Sequence, residues 1–537
     1  MFKRLSEIDF RCVLFVVFVA LLFFAWANRF IQDDAFISFR YARNLAEGNG
    51  LVWNCGERLE GYTNFLWTLA MAIPHYLKHD PVAFSFFMGM AFFALTLAFT
   101  YKLAVSLLES HWLGILTLVL LGTNYSFSCY ATGGLETQMQ TAFFVIAAYL
   151  VVGSMKQGSF NVGRTLFLSL ISALAVLTRP DSALPMAVWL GVSGYLILRE
   201  KSNRKAALLF ALIGPIVVII GAWVFWKIGY YGEVLPNTFY AKASSITSPI
   251  RGLKYVYAFF SSYWLFVFPL LVIAAVKSMN SRLAVLAVGT LVWLAYVVKV
   301  GGDFMEFRFI VPVMPFIFVL IVWVSCVFIK NKAVQVALVA LVLFGSLQYM
   351  TVGRTFYQTG LNENGISTIP EQYEYVIGKD GQPGWIEMGL ALREAFPKGS
   401  KVLIGVTPAG AIPYYSELQS LDMLGINDRW VARYGTVIGD YPGHQRLATV
   451  DYMLKRRVNL VINHPLLIGP GETAREYIPH FFRRILHGGE TLKSIPAGSR
   501  MLEIPLHGGY RLLVLYLVPS REVDDAIARH GWPVWRF

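Results

Sequence analysis

Up to about residue 349 the chain is a succession of apolar runs, each close to the roughly 20 residues a helix needs to cross a bilayer. Backbone polar groups inside hydrocarbon must be satisfied within their own segment, so such runs fold as spanning helices packed side by side. Eleven runs can be marked, with ends good to a few residues: 10–28, 82–101, 112–130, 138–155, 164–178, 182–198, 206–229, 256–276, 283–300, 309–329 and 333–350. Only 15% of the residues are charged and 56% are hydrophobic, too little charge to cover a water-soluble protein of this size. Beyond residue 350 charges, Pro and Gly return and no run is long enough to span. The expected organisation is a polytopic α-helical membrane domain over 1–350, with a large first loop at about 29–81, followed by a water-soluble domain over 351–537.

Charge fixes the expected topology. The stretch 62–77 is apolar enough to suggest a further crossing, but it is short and contains Thr63, Asn64 and Pro74. If it does not cross and the N-terminus (Lys3, Arg4, Arg11) is cytoplasmic, every inner turn is basic: Lys102; Lys156 and Arg164; Arg199, Lys201, Arg204 and Lys205; Lys277 and Arg282; Lys330 and Lys332. An extra crossing would send the 199–205 cluster to the other side, so it is rejected. Ala25-Trp26-Ala27 resembles a signal-peptide cleavage site, but the apolar run before it is long for a leader and is read as an anchor. In this topology the loops 33–60, 132–136, 178–181, 231–254 and 301–308 all lie outside, together with the C-terminal domain. A bacterial plasma membrane with a periplasmic C-terminal domain is the setting expected.

The net charge of +13 does not mark a nucleic-acid binder, because Lys and Arg sit in short clusters between apolar runs rather than on one soluble face. Cys12, Cys129 and Cys326 fall in or near apolar runs and Cys55 stands alone, with no metal spacing and no disulfide framework.

The polar motifs are concentrated in the outer loops. Asp33-Asp34 opens a stretch in which Ala35, Phe36, Ile37, Phe39, Ala42 and Leu45 alternate with Arg40 and Arg43 as in a short amphipathic helix lying on the membrane surface. A pair of acids at such an N-terminus is readily explained as a cap. The same pair is also well placed to take a proton from an acceptor hydroxyl or to steady positive charge at a sugar carbon. Glu60, Tyr62, Asn64 and Trp67 then mix aromatic rings with carboxylate and amide, which suits a sugar's apolar faces and hydroxyl rim, although Trp and Tyr are also ordinary interfacial anchors. Glu136, Arg179, Asp181, Asp303 and Arg308 bring charge to three further loops. Any one of them is most simply a local pair, but ionisable groups this near hydrocarbon are costly, and all of them on one face indicate a site. Asn237, Tyr240 and Lys242 add an amide, a hydroxyl and a cation. Lys242, Arg179 and Arg308 together could neutralise a lipid phosphate, the arginines through their forked geometry and the lysine as a point charge.

The C-terminal part reads as α/β, with strands at 401–406, 418–423, 458–463 and 511–518 and helices at 386–395, 451–457 and 522–530. It carries no phosphate-binding glycine fingerprint.

These residues resemble a family. DDAFISFRYARNLAEGNGLVWN (33–54), GERLEGYTNFLW (56–67), GGLET (133–137), TRPD (178–181), PNTFYAK (236–242) and GGDFMEFRF (301–309) are similar to the GT-C glycosyltransferases of the mycobacterial terminal β-(1→2)-arabinofuranosyltransferase type. The stretches 408–433 and GDYPGHQR (439–446) are similar to that family's soluble part. The Phe-rich, Ala-poor composition fits a Gram-negative relative of that type, such as a pilin arabinosyltransferase. The resemblance implies many membrane helices, a large first outer loop and an external C-terminal domain. It also implies a polyprenyl-phosphate sugar donor, decaprenyl-phospho-arabinofuranose, and a glycan, lipid-linked glycan or protein acceptor. The catalytic acid maps to Asp33 or Asp34, with Asp33 preferred by analogy with the leading acid of related motifs. Inverting relatives use that acid as base, whereas retention would require a nucleophile or an ion-pair mechanism. A divalent cation could be accommodated by the many acids, but no ligand set stands out.

Two other functions compete. A flippase or transporter for a lipid-linked saccharide predicts ionisable groups deep within spans and internal repeats, neither of which is visible. A non-catalytic assembly scaffold would bind glycan without turning over a donor.

Overall fold

The computed structural model describes residues 9–201, 203–242, 248–329, 331–351, 361–362, 364–441 and 443–537. Lys3, Arg4 and Lys330 of the inner-turn pattern, residues 243–247 of the 231–254 loop and Pro442 of the 439–446 motif lie outside them.

Among the described residues seven helices are long and apolar enough to cross a membrane, from Phe10–Ala27 to Val311–Phe328. The pair Pro249–Ser262 and Val267–Ala274, bent by 98°, gives an eighth if it is one span. Three shorter apolar helices, His111–Gly122, Val162–Thr178 and Lys332–Leu347, occupy the other expected positions. The segment 62–77 forms only the twelve-residue helix Phe65–Tyr76. At 1.5 Å per residue it reaches about 18 Å, well short of a hydrocarbon core. The chain is a multi-pass membrane protein.

Local chemistry explains the segment ends nearest the site. Asp80 accepts from the Val82 and Ala83 amides while Pro81 takes the first helical position, so the long helix Pro81–Leu108 starts where its unpaired amides have an acceptor. Helix Val162–Thr178 stops because Arg179 is extended ahead of Pro180.

The helix Asp33–Ala46 forms as the periodicity predicts. The expectation that it lies on the membrane surface is corrected: it is enclosed on nearly all sides. Ala35, Phe36, Phe39, Tyr41 and Ala42 are fully buried, and Phe36 packs on Tyr414 and Tyr415 of the C-terminal part. This outer helix is therefore an internal strut between the membrane bundle and the domain above it. The turn at Gly133-Gly134 presses on it from the side. Gly134 has φ +75°, and a side chain there would meet Ala35 Cβ at 2.6 Å, so only glycine fits.

The C-terminal part carries a six-stranded mixed sheet, as the α/β expectation holds. Its strands are β1 (Leu403–Val406), β2 (Gln419–Asp422), β3 (Leu460–Ile468), β4 (Arg500–Pro505), β5 (Arg511–Tyr516) and β6 (Val534–Trp535), in spatial order β6-β4-β5-β3-β1-β2. β1 runs parallel to β2 and β3, and the other pairs are antiparallel. β4 and β6 were not anticipated. The parallel edge faces the membrane bundle, because the turns after β1 and β2 carry the residues that meet the outer helix.

Candidate active site

The loops read as external in the sequence converge beneath the C-terminal domain on a cavity of about 420 Å³. The outer helix supplies Asp34 and Ser38, and the following loop supplies Tyr62 and Asn64. Glu136, Arg179, Asp181, Lys242, Asp303 and Arg308 come from four separate connections between membrane helices. Ile426, Gly443 and Gln445 close the cavity from the C-terminal domain.

Part of this charge is mutually engaged. Arg179 is held at both ends, 2.9 Å from Glu136 and 2.7 Å from Asp181. Arg308 Nε donates to Asp303 at 2.7 Å. Both guanidinium groups lie against the Phe309 ring, at 5.1 and 5.2 Å from its centre. Asn64 donates to Glu136 at 2.9 Å, and Tyr296 donates to Asp181 at 3.2 Å. Burial works to raise the Glu136 carboxyl, but Arg179 and Arg308 outweigh it and hold that group below its ordinary value.

The remaining charge is open. Among the described residues the side chains of Asp34 and Lys242 make no hydrogen bond, and Arg308, which also lines the cavity, uses Nε alone, leaving both terminal nitrogens without a hydrogen bond. Burial raises the Asp34 carboxyl, with Arg308 and Lys242 pulling the other way. Burial likewise lowers the Lys242 ammonium, against Asp34 and Asp303. An open carboxylate thus faces two open cationic donors across a space large enough for a sugar phosphate. Among the described residues no group of three or more His, Cys, Asp or Glu is placed to hold a metal ion.

Six residues singled out in the sequence stand elsewhere. Asp33, beside Asp34 in the chain, points the other way. Its carboxylate accepts from the Gly410 and Ala411 amides at 3.1 and 2.7 Å. Gly410 passes so close to the Asp33 backbone that a Cβ would collide with it. Motif order favours Asp33, whereas it is Asp34 whose side chain lines the cavity. Arg40 is buried and donates to the Trp53, Pro413 and Leu418 carbonyls and to Asn54. Glu60 pairs with buried Lys227 at 2.6 Å, and burial pushes its carboxyl up to about 7, partly offset by that lysine. Trp67 is fully buried and donates to the Gly134 carbonyl. Asn237 donates to carbonyls of the 425–428 turn, and Tyr240 stacks beneath Arg433 at 4.0 Å. All six tie loops together rather than lining the cavity. Conversely, Ser38, Tyr296 and Gln445 line it without having been singled out. Tyr296 sits inside an apolar run and reads as an anchor, whereas Gln445 lies within the 439–446 motif, which was a usable signal.

Comparison with known proteins agrees with this architecture. A family model described as a domain of unknown function, DUF8728, matches residues 371–501. The terminal β-(1→2)-arabinofuranosyltransferase of Corynebacterium glutamicum is 28% identical over 334 residues, 53% of this chain and 46% of that protein. That of Mycobacterium tuberculosis is 28% identical over 268 residues, 47% and 41% respectively, so the match spans less than half of either relative. Among solved structures, ArnT from Cupriavidus metallidurans bound to undecaprenyl phosphate superposes with a TM-score of 0.54 at 13% identity, covering 95% of this chain and 99% of that one. The oligosaccharyltransferase AglB from Archaeoglobus fulgidus, in complex with an inhibitory peptide and a dolichol-phosphate, gives 0.50 at 10% identity, covering 95% and 76%. The chain has the fold of ArnT, and over about half its length its sequence is similar to that of the terminal β-(1→2)-arabinofuranosyltransferases.

Proposed function

We propose that this protein is a glycosyltransferase of a bacterial inner membrane that moves arabinofuranose from a polyprenyl-phosphate donor to a hydroxyl of an extracytoplasmic glycan, lipid-linked glycan or protein. Its N-terminus is cytoplasmic and its C-terminal domain periplasmic, with residues 1–350 forming the catalytic membrane domain and 351–537 the domain that covers it. The observation that carries this reading is the open carboxylate of Asp34 opposite the open cations Lys242 and Arg308 at the outer end of the helix bundle. The similarity to arabinofuranosyltransferases supports the sugar, and the fold shared with an undecaprenyl-phosphate-bound transferase supports the lipid carrier.

In this reading Lys242 and the terminal nitrogens of Arg308 hold the donor phosphate, and Arg179 keeps Glu136 and Asp181 in place from behind. The sugar lies against Tyr62 and Asn64. The acceptor hydroxyl forms the new bond to the anomeric carbon, the carbon–oxygen bond to phosphate breaks, and the acceptor's proton passes to Asp34. A carboxylate raised toward neutrality by burial is a stronger base than a solvated one. Polyprenyl phosphate leaves as an anion already paired with cations, so no acid is required on that side. Supplying the purified protein with isotope-labelled polyprenyl-phospho-arabinofuranose and an arabinan acceptor, then weighing the products by mass spectrometry, tests the proposal. An acceptor heavier by one pentose is expected; an unconsumed donor would refute it.

A further inference from the structure

Three chain segments that line the cavity continue over its rim. Residues 61–64 face the cavity while Glu57, Arg58 and Leu59 face away, Leu235 and Pro236 face it while Glu233 does not, and Ile426 faces it while Asn427 does not. The residues turned away line a second cleft of about 520 Å³ on the far side of this thin wall. The wall is rigid. Buried Asp422 accepts from the Leu424, Gly425 and Asn427 amides, and the Tyr41 hydroxyl donates to Asn427.

The chemistry of the cleft differs from that of the cavity. Trp430 and Tyr452 stack face to face with ring centres 4.0 Å apart, and Tyr434 stands beside Trp430, 67% exposed. Asp428 fixes the Tyr452 hydroxyl at 3.0 Å. Three of the four arginines are ion-paired in place, Arg433 and Arg429 by Glu233 and Arg456 by Glu57 and Asp428, while Arg58 lies over the Tyr230 ring. Among the described lining residues Leu59 is the sole aliphatic one. Flat rings flanked by paired, hydrogen-bonding charges suit a ligand with apolar faces, a hydroxyl rim and no net charge. A peptide would want apolar side-chain pockets, which the cleft lacks, and a phosphorylated chain would want a cluster of unpaired cations, where the described lining residues offer Arg58 alone.

We infer that this cleft holds a stretch of a neutral oligosaccharide acceptor, several sugars behind the hydroxyl that reacts. The inference rests on the reading of the cavity as the transfer site. It makes acceptor length, rather than the terminal sugar alone, a determinant of affinity.

Full-length protein in detergent, titrated without donor against arabinofuranose oligosaccharides of one to six residues, gives binding by tryptophan fluorescence. Transfer kinetics with the same series give KM and kcat. The hexasaccharide is expected to bind about tenfold more tightly than the monosaccharide glycoside, and Trp430→Ala to remove most of that difference. Tyr434→Ala, at an exposed position that folding tolerates, is expected to raise KM for the hexasaccharide about fivefold relative to that for the monosaccharide, with kcat retained. Equal effects on short and long acceptors would overturn the inference, as would preferential binding of a Ser/Thr-rich peptide. Length-dependent binding without any transfer would instead refute the transferase reading and leave the saccharide cleft standing.

Discussion

One face of the outer helix looks into the cavity and the other into the C-terminal domain. Both surroundings are buried, polar and rich in charge. On the domain side every group is engaged: Asp33 accepts two amides, Arg40 donates to four acceptors, and Arg43 donates to the Tyr414 carbonyl while lying over its ring. On the cavity side Asp34, Lys242 and the outer nitrogens of Arg308 are open among the described residues. Asp34 and Lys242 are only half-buried, so their unpartnered groups stay accessible to a ligand, whereas the paired groups of the other face are taken up by their partners. Charge near hydrocarbon does not distinguish the two; hydrogen-bond satisfaction does.

The sharpest way to break this comparison is to exchange the roles of the two adjacent acids. Asp34→Asn should lower kcat by about 10²–10⁴, the range expected on losing a positioned base, with the melting temperature little changed. Asp33→Asn should do the reverse, keeping kcat within a few-fold while lowering the melting temperature, because an amide cannot offer two oxygens to the Gly410 and Ala411 amides. Comparable losses of kcat in both would erase the distinction between the faces.

A similar contrast holds for the cations. Arg40→Ala leaves several buried acceptors unsatisfied and should cost about 3 kcal/mol of stability. Lys242→Ala removes an open donor, so it should raise the donor KM about tenfold or more without a stability loss. Thermal melts and donor titrations of the two variants decide the matter. A destabilised Lys242→Ala would mean that its ammonium is structural after all.

Much of the cavity was legible in the sequence because the positive-inside pattern sorts loops by side without any structure. Once 62–77 is denied a crossing, Glu136, Arg179, Lys242 and Arg308 fall on the same face as Asp33 and Asp34. Seven of the spanning runs, among the described residues, and four of the six sheet strands follow from length and periodicity. What could not be read is which way a side chain on the outer helix points. Asp33 and Arg40 are turned toward backbone more than 370 positions further along, in a domain whose docking leaves no local trace in residues 33–46. For the same reason the helix looked like a surface element: its second apolar neighbour, around Tyr414 and Tyr415, is distant in sequence. Ser38 and Tyr296 were invisible for a different reason, since a serine on a helix and a tyrosine at a membrane edge are ordinary.

The last expected difference is a pH signature of opposite sign at neighbouring residues. Burial pushes Asp33 up to about 7, against the two amides that favour its charged form. A folded-state value above the unfolded one means that the folded protein binds this proton more tightly. The stability it contributes is therefore complete below about pH 4 and is lost as pH rises toward 7. Asp34 is raised as well, chiefly by burial, but as a base it must be ionised to work. Activity should consequently fall as pH drops through a value above the ordinary aspartate value of about 3.8. Over that interval, activity rises with pH while the melting advantage of the wild-type protein over Asp33→Asn shrinks. Melting curves of both proteins at pH 5 and pH 8, set beside a kcat/KM profile, measure the two trends separately. A melting difference that does not change with pH would show that Asp33 is ionised throughout and that its two amides, rather than its burial, set its state.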